Sequence, residues 1–376
     1  MITTIAFTSF GGEIWTGGSQ YLVNLLTVLN SLDKDQRPKT VLVLENEKEI
    51  GSRLQKLVDD VLISPINLHS GFISRQLARG KLAQLLSKSG VDYIFSGVHY
   101  GALFPIPLLG WIPDFQHKRL PDMFSTEEII SRDVGYMNIV KFARKVVLSS
   151  ESAKRDYAEY YPSAVKKVAV APFMVAPPEN MWADNPVKIC KEYDLPEKFF
   201  YLPNQFWQHK NHEVVIEALQ IVRQKRNDIV VVCTGNTYDY RKPEYFGKLL
   251  SMIARRGLRD NIILLGFVPH TTVLALIRQS TAVIQPSLFE GWSSTIEEVK
   301  SIGKTVILSD IEVHREQSPP SANYFDPQNP EGLAQLMLEQ YDVLPSGPTL
   351  DLEYEARKNL RFRMTVHAQK FLDMLV

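Results

Sequence analysis

The sequence predicts an α/β protein built from two similar lobes, each with a parallel sheet. Three observations carry this. Strand and helix patterns alternate from end to end of the 376 residues, which argues parallel sheets rather than a sandwich or a bundle. The stretch Ala282–Gln317 reads as a complete βαβ unit: an apolar run, a polar turn, a helix stopped by Gly303 and a second apolar run from Thr305 to Ser309. The proline-rich segment from Val170 to Pro178 separates two such alternating series and reads as a hinge or linker.

In the first series the strand candidates are Thr4–Phe10, Val41–Leu44, Asp60–Ile63, Tyr93–Phe95, Leu108–Ile112, Val146–Ser149 and Val168–Ala171. Helices are predicted over Ser19–Leu32, Ser74–Ser87, Thr126–Ala143 and Ser152–Tyr160, with Ser125 and Glu128 forming a capping box before the third. In the second series the strands are Phe199–Leu202, Ile229–Thr234, Asn261–Leu265, Ala282–Gln285, Thr305–Leu308 and Asn323–Phe325. Its helices are Asn211–Gln224, Pro243–Arg256, Thr271–Gln279, Thr295–Ile302 and Glu331–Tyr341, and the tail from Glu353 to Leu375 is amphipathic and helical.

Composition bounds the function. Hydrophobic residues at 45% and charged residues at 22% are ordinary for a soluble globular protein. Lys plus Arg equals Asp plus Glu at 42 each, so bulk charge offers no case for nucleic-acid binding. Two cysteines, Cys190 and Cys233, are too few for a disulfide framework, and a reduced cytoplasmic compartment is the expectation. The start lacks the basic region and long apolar core of a signal peptide. Tyr93–Pro113 carries no Asp, Glu, Lys or Arg over 21 residues, yet its glycines and prolines would break a membrane helix. It reads as two strands joined by an apolar loop, a candidate for peripheral membrane contact.

The turn before the helix at Thr295 holds the chemistry. A βαβ unit places this turn and the helix amino end at the carboxyl edge of a parallel sheet, where open α/β folds bind ligands. Backbone N–H groups and the positive end of the helix dipole suit a phosphate there. Gly291 allows close approach, Trp292 follows it, and Ser293, Ser294 and Thr295 add hydroxyls. Glu290 and Glu298 are acidic residues beside an anion site, so they suit neutral hydroxyl partners such as sugars. The local chemistry reads as a nucleotide diphosphate with sugars on both sides. The alternative makes Glu290 a turn residue and Glu298 a complement to the helix dipole.

FEGWSSTIEEV followed by SIGKTVILSD resembles the Glu-x7-Glu signature of retaining glycosyltransferases of family 4 (group 1), which have the GT-B fold: two Rossmann-like lobes facing each other across a cleft, with a C-terminal helix crossing back to the first lobe. The resemblance implies that Glu290 contacts the donor sugar and Glu298 the ribose. The family's usual Gly-Leu-Pro after the aromatic is replaced here by Ser293-Ser294-Thr295. On this reading residues 1–175 form an acceptor-binding domain, 176–352 a nucleotide-sugar-binding domain, and 353–376 a helix packing on the first.

Three further loops carry the resemblance. The glycine-bearing stretch from Ser9 to Tyr21 resembles the family's Gly-Gly loop, with Gly17 and Gly18 on the donor side, although a helix start without a ligand is equally compatible. Pro203–His212 follows a strand, and Asn211 is a candidate N-cap. Lys210 stands before it, where a cation opposes the helix dipole unless an anion binds. The family places a Lys at this position and an Arg earlier, where this chain has Asn204 or Gln205, so Lys210 carries more of the diphosphate charge. His209 and His212 lack companion ligands at metal spacing, and no metal is expected. Gly266-Phe267-Val268-Pro269 resembles the loop holding the base, with Phe267 beside the base or in the core.

Relatives often carry His-Asp after the strand that here ends in Trp111-Ile112-Pro113-Asp114. Asp114 and His117 are therefore candidates for acceptor-side or transition-state groups, against a reading as turn cap and loop residue. The implied activity is hexosyl transfer, with retention, from a nucleotide-diphosphate sugar to a sugar or lipid-linked hydroxyl in polysaccharide or glycoconjugate synthesis. The expected catalytic set is Lys210, Glu290, Asp114 and His117. The alternatives are a GT-B sugar-nucleotide epimerase and a non-catalytic nucleotide-sugar-binding subunit.

Overall fold

The computed structural model of the chain describes residues 2–8, 16–44, 53–65, 72–183 and 185–375, with only the backbone given at Thr16 and over 72–76. The chain divides into two compact units: 1–115, 126–174 and 361–376 form the first, and 116–125 with 175–360 the second.

The first unit contains β1 (Thr4–Thr8), α1 (Thr16–Leu29), β2 (Lys39–Leu44), β3 (Asp60–Ile63), α2 (Phe72–Lys88), β4 (Tyr93–Ser96) and β5 (Leu108–Trp111). A single turn, α3 (Gln116–Arg119), lies in the excursion that clusters with the second unit. The chain then returns through α4 (Thr126–Phe142), β6 (Lys145–Leu148), α5 (Glu151–Tyr160) and β7 (Val168–Val170). The seven strands form one parallel sheet in the order β3-β2-β1-β4-β5-β6-β7. Its central strands β1, β4 and β5 are buried over nearly their whole length because both faces are covered, as parallel sheets require.

The second unit contains α6 (Val187–Glu192), β8 (Phe200–Pro203), α7 (His212–Arg223), β9 (Val231–Thr234), α8 (Tyr245–Arg255), β10 (Ile262–Gly266), α9 (His270–Gln279), β11 (Val283–Gln285), α10 (Ser294–Ile302), β12 (Val306–Ser309), α11 (Glu312–Gln317), β13 (Ala322–Phe325) and α12 (Pro330–Val343). Its parallel sheet runs β10-β9-β8-β11-β12-β13. Winding reverses between β8 and β11, so the loops that leave these two adjacent strands diverge and open a crevice at their carboxyl ends. One face of the sheet is packed by Val215, Leu219, Leu333 and Met337, the other by Leu274, Ile277, Ile296 and Val299.

α13 (Leu350–Asp373) begins in the second unit, where buried Glu353 pairs with Arg278 at 2.8 Å, and ends in the first, where Phe371 packs 6.2 Å from Phe7 and 5.7 Å from Phe95.

The predicted strands and long helices recur with ends shifted by a few residues. The first helix starts at Thr16 rather than Ser19, which puts Gly17 and Gly18 in its first turn instead of a loop. Ser9–Trp15, the rest of the glycine-bearing stretch and the end of the predicted first strand, lies outside the described residues. The sequence reading missed the short helices α3, α6 and α11, since four to six residues give too few turns for an apolar period.

Gly303 ends α10 as expected, in left-handed backbone with φ 81°. It does a second job: a Cβ there would stand 2.2 Å from the Leu352 carbonyl oxygen. Gly303→Ala is expected to cost about 2 kcal/mol or more, since strained backbone and backbone collision add. A melting temperature equal to the wild type's would show that the helix end re-forms without strain.

Candidate active site

The crevice at the β8/β11 reversal is where Asn204, Lys210, Glu290 and Ser293, predicted site residues of the second unit, gather. β11 ends at Gln285, and the turn Pro286–Trp292 leads into α10, whose N-cap is Ser293. The Ser293 hydroxyl accepts the Ile296 N–H, and Gln317 brackets the Ser293 backbone by accepting its N–H at 3.0 Å and donating to its carbonyl at 2.9 Å. The helix amino end is thus fixed against α11, with its dipole directed at the crevice.

Lys210 reaches across from the β8 loop and donates to Glu290 Oε1 at 2.6 Å, with the two side chains only 17% and 9% exposed. The same oxygen accepts from Ser287 Oγ at 2.7 Å and from Gln285 Nε2 at 2.9 Å. Gln285 is itself oriented by Asn204, whose Nδ2 donates to Gln285 Oε1 at 2.8 Å. All three bonds to Glu290 fall on Oε1, and among the described residues Oε2 has no donor. That oxygen is available to a hydroxyl group. The Lys210 ammonium likewise has Glu290 as its one hydrogen-bond partner among the described residues, leaving protons for an anion.

The two loops are stapled together at the next residue. Asn211 takes a left-handed conformation (φ 56°, ψ 43°), and its side chain donates to the carbonyls of Pro286 at 3.1 Å and Pro327 at 2.9 Å. Asn211 occupies the N-cap position but makes no side-chain cap, contrary to expectation: the amide that would need to turn back is held by two outside carbonyls. Leu288 N–H adds a bond to the His209 carbonyl at 2.8 Å. Gly235, after β9, has φ 146° and lies so close to the Asn204 carbonyl oxygen that a Cβ would stand 2.3 Å from it.

Glu298 lies one turn into α10, buried, and His270 Nε2 bonds its Oε1 at 2.8 Å. Behind the turn, His314 is fully buried, with Nδ1 2.8 Å from the Ser309 carbonyl oxygen, while Ser309 Oγ donates to the Ser287 carbonyl at 2.6 Å. The Nδ1–H therefore donates and the ring is neutral; burial pushes its pKa down to about 4. His212, stacked 4.4 Å from Phe206, is held down to about 3, first by burial and then by the charge of Lys210. Among the described residues no group of three or more His, Cys, Asp or Glu is placed to hold a metal ion.

The remaining candidates are distributed as follows. Gly291, Trp292 and Ser294 are half-buried on the turn and helix start, and Thr295 is buried. Gln205 is half-buried on the β8 loop, whereas Asn204 is buried and acts on Gln285. Phe267 is 75% exposed, which removes its reading as a core residue. Asp114 belongs to the first unit, 4.0 Å from Arg132, and His117 to the second, buried edge-on to Phe124. Gly17 is exposed and Gly18 buried. Sequence reasoning missed Gln285, Ser287, His270 and His314. Gln285 and Ser287 flank a proline directly after a strand that meets Glu290, so their position was a usable signal.

Each unit carries one parallel sheet with helices, and the likeness to solved structures is one of fold. Anabaena Alr3699/HepE, crystallised in complex with UDP and glucose, has a TM-score of 0.74 over 99% of both chains at 16% identity, and the architecture is the GT-B fold. Residues 191–341 match the family model described as glycosyl transferases group 1. The chain is 27% identical over 161 residues to the O-antigen chain mannosyltransferase RfbU of Salmonella typhimurium, covering 43% of each chain. It is 21% identical over 248 residues to an uncharacterized glycosyltransferase of Methanocaldococcus jannaschii, covering 64% of this chain and 61% of that one. The matches span less than two thirds of either relative's length.

The buried histidine has a measurable consequence. Unfolded, His314 takes up a proton near its ordinary value of 6.5; folded, it resists until about 4. The unfolded chain binds more protons across that window, so stability falls as pH drops through it, by on the order of 3 kcal/mol at the limit. His314→Gln should show a shallower fall in melting temperature between about pH 7 and 4.5 than the wild type. Equal slopes would assign the acid sensitivity to other groups.

Proposed function

We propose that the chain is a retaining glycosyltransferase that moves a sugar from a nucleotide-diphosphate sugar to a hydroxyl of a sugar or lipid-linked acceptor, in polysaccharide or glycoconjugate assembly. The observation that carries this reading is the Lys210–Glu290 pair at the amino end of α10, with one carboxylate oxygen and ammonium protons left for a ligand. The O-antigen mannosyltransferase relative and the fold likeness to a protein crystallised with UDP and glucose support the same class of donor.

In this reading the diphosphate lies against the amino end of α10, and Lys210 exchanges part of its bond to Glu290 for a phosphate oxygen. Lys210 and the helix end offset the negative charge that grows on the departing diphosphate, each worth typically about 3 kcal/mol in the transition state. The reading needs no metal ion for that role. Glu290 Oε2 accepts a hydroxyl of the transferred sugar, and Glu298 a ribose hydroxyl. The bond from the anomeric carbon to the phosphate oxygen breaks while a bond to the acceptor oxygen forms on the same face. The acceptor proton passes to the departing phosphate oxygen, so no covalent enzyme intermediate forms and the configuration is retained. Asp114 and His117 are assigned to the acceptor side.

Among the described residues no helix is long and apolar enough to cross a membrane. We place the chain in the cytoplasm, with the loop between β4 and β5, where Val98 and Leu103 stand 57% and 98% exposed, as its contact with a membrane face.

The test begins with melting temperatures in a panel of UDP- and GDP-hexoses, since a ligand that binds only the native state raises the midpoint. The panel should contain a stabilising donor, and that donor should be turned over in the presence of an acceptor glycan. Binding with no turnover against any acceptor would favour a binding subunit, and free epimerised donor an epimerase. Lys210→Ala is expected to lower kcat at least about tenfold in a folded protein, while Glu290→Gln raises donor KM as well as lowering kcat. Wild-type turnover by Lys210→Ala removes Lys210 from the mechanism.

A further inference from the structure

Arg241, on the loop after β9, is a buried guanidinium that the site described above does not use. Its side chain is 3% exposed and pairs with Asp239, itself 1% exposed, through Nε to Oδ1 at 3.1 Å and Nη2 to Oδ2 at 3.4 Å. Nη1 donates to Gln116 Oε1 at 3.1 Å, and Nη2 lies 3.4 Å from His209 Nδ1. The guanidinium carbon stands 4.6 Å from the centre of the Trp207 ring and 5.0 Å from that of Phe124. Asp239 also accepts the Gln208 N–H at 3.4 Å. One side chain thus touches three segments: the β8 loop next to Lys210, its own loop, and the stretch 116–125.

That last stretch is unusual. Residues 116–125 cluster with the second unit, although Phe115 before them and Thr126 after them belong to the first. Gln116, His117 and Phe124 are all buried there. Nothing in the doubly wound topology requires a charged group at this place, and burying one is costly unless its geometry is fully satisfied. A guanidinium offers a planar fork that takes both oxygens of a carboxylate side by side and still reaches an amide oxygen, a geometry a point-like ammonium does not supply.

We propose that Arg241 is a positioning residue that registers the 116–125 segment, and with it His117, against the loop carrying Lys210. Each nitrogen of the fork already has a partner in Asp239, Gln116 or His209, so it acts through these partners rather than on a ligand. Its effect on turnover rests on the glycosyl-transfer reading above; its effect on the segment does not.

The test uses the full chain and variants that leave a partner for Asp239. Gln116→Ala removes the acceptor on the segment while the Arg241–Asp239 pair stays intact. Arg241→Lys keeps the charge and loses the fork. In both, backbone amide exchange over 116–125 should quicken about tenfold while β8 and β9 keep wild-type protection. With the donor selected by the melting panel, Gln116→Ala should lower kcat for nucleoside-diphosphate release about tenfold with donor KM nearly unchanged. Gln116→Glu, which restores an oxygen acceptor, should recover most of both effects. Unchanged exchange in the segment overturns the proposal, as does faster exchange spread evenly over the second unit. Faster local exchange with wild-type kcat overturns the catalytic half. If no donor is turned over by the wild type, exchange alone decides, so failure of the transfer reading is told apart from failure of this one.

Discussion

A lysine just before a helix works against the dipole of that helix unless a negative charge stands beside it. Here Glu290 supplies that charge from the opposite loop, and the rest of the crevice is arranged around keeping the carboxylate in place. Ser287 and Gln285 load the same oxygen, Asn204 orients Gln285, and Ser309 and His314 brace the backbone of the turn from behind. The pair is held from one side only. A protein-made counter-ion of this kind can be partly displaced by a phosphate without leaving either group stranded, because Glu290 keeps two neutral donors when Lys210 turns away.

The topology explains why these residues meet. β8 and β11 are neighbours in the sheet but far apart in the chain, and their loops must part to reach helices on opposite faces. Two left-handed positions make the meeting tight: Asn211, which ties its own loop to the prolyl carbonyls of two others, and Gly235, whose missing side chain lets the β9 loop lie against Asn204.

Much of this was legible in the sequence. Alternating apolar runs and turn residues revealed both lobes, because a buried parallel strand reads as a short apolar block and its crossover helix as a longer periodic one. The seven-residue spacing of Glu290 and Glu298 around a helix start located the crevice, since charge and local backbone both sit within one contiguous stretch. What could not be read depends on distance along the chain. Gln116 and Arg241 are separated by more than a hundred residues, and no local pattern marks either. Asn211 looks like a cap in one dimension; only in three do the carbonyls of Pro286 and Pro327 compete for its amide. Phe267 could stand beside the base or in the core on its sequence, and only its exposure in the fold removes the second reading.

The last helix ends inside the first unit. Its closing turns, with Phe371 against Phe7 and Phe95 and His367 bonded to the Pro172 carbonyl at 2.9 Å, complete the interior of a unit whose strands all lie earlier in the chain. That unit is therefore not a contiguous segment. During synthesis its strands must wait for the final turns of α13 before their apolar surface is closed, and a fragment ending at Met174 would carry an open wound where those aromatic rings belong.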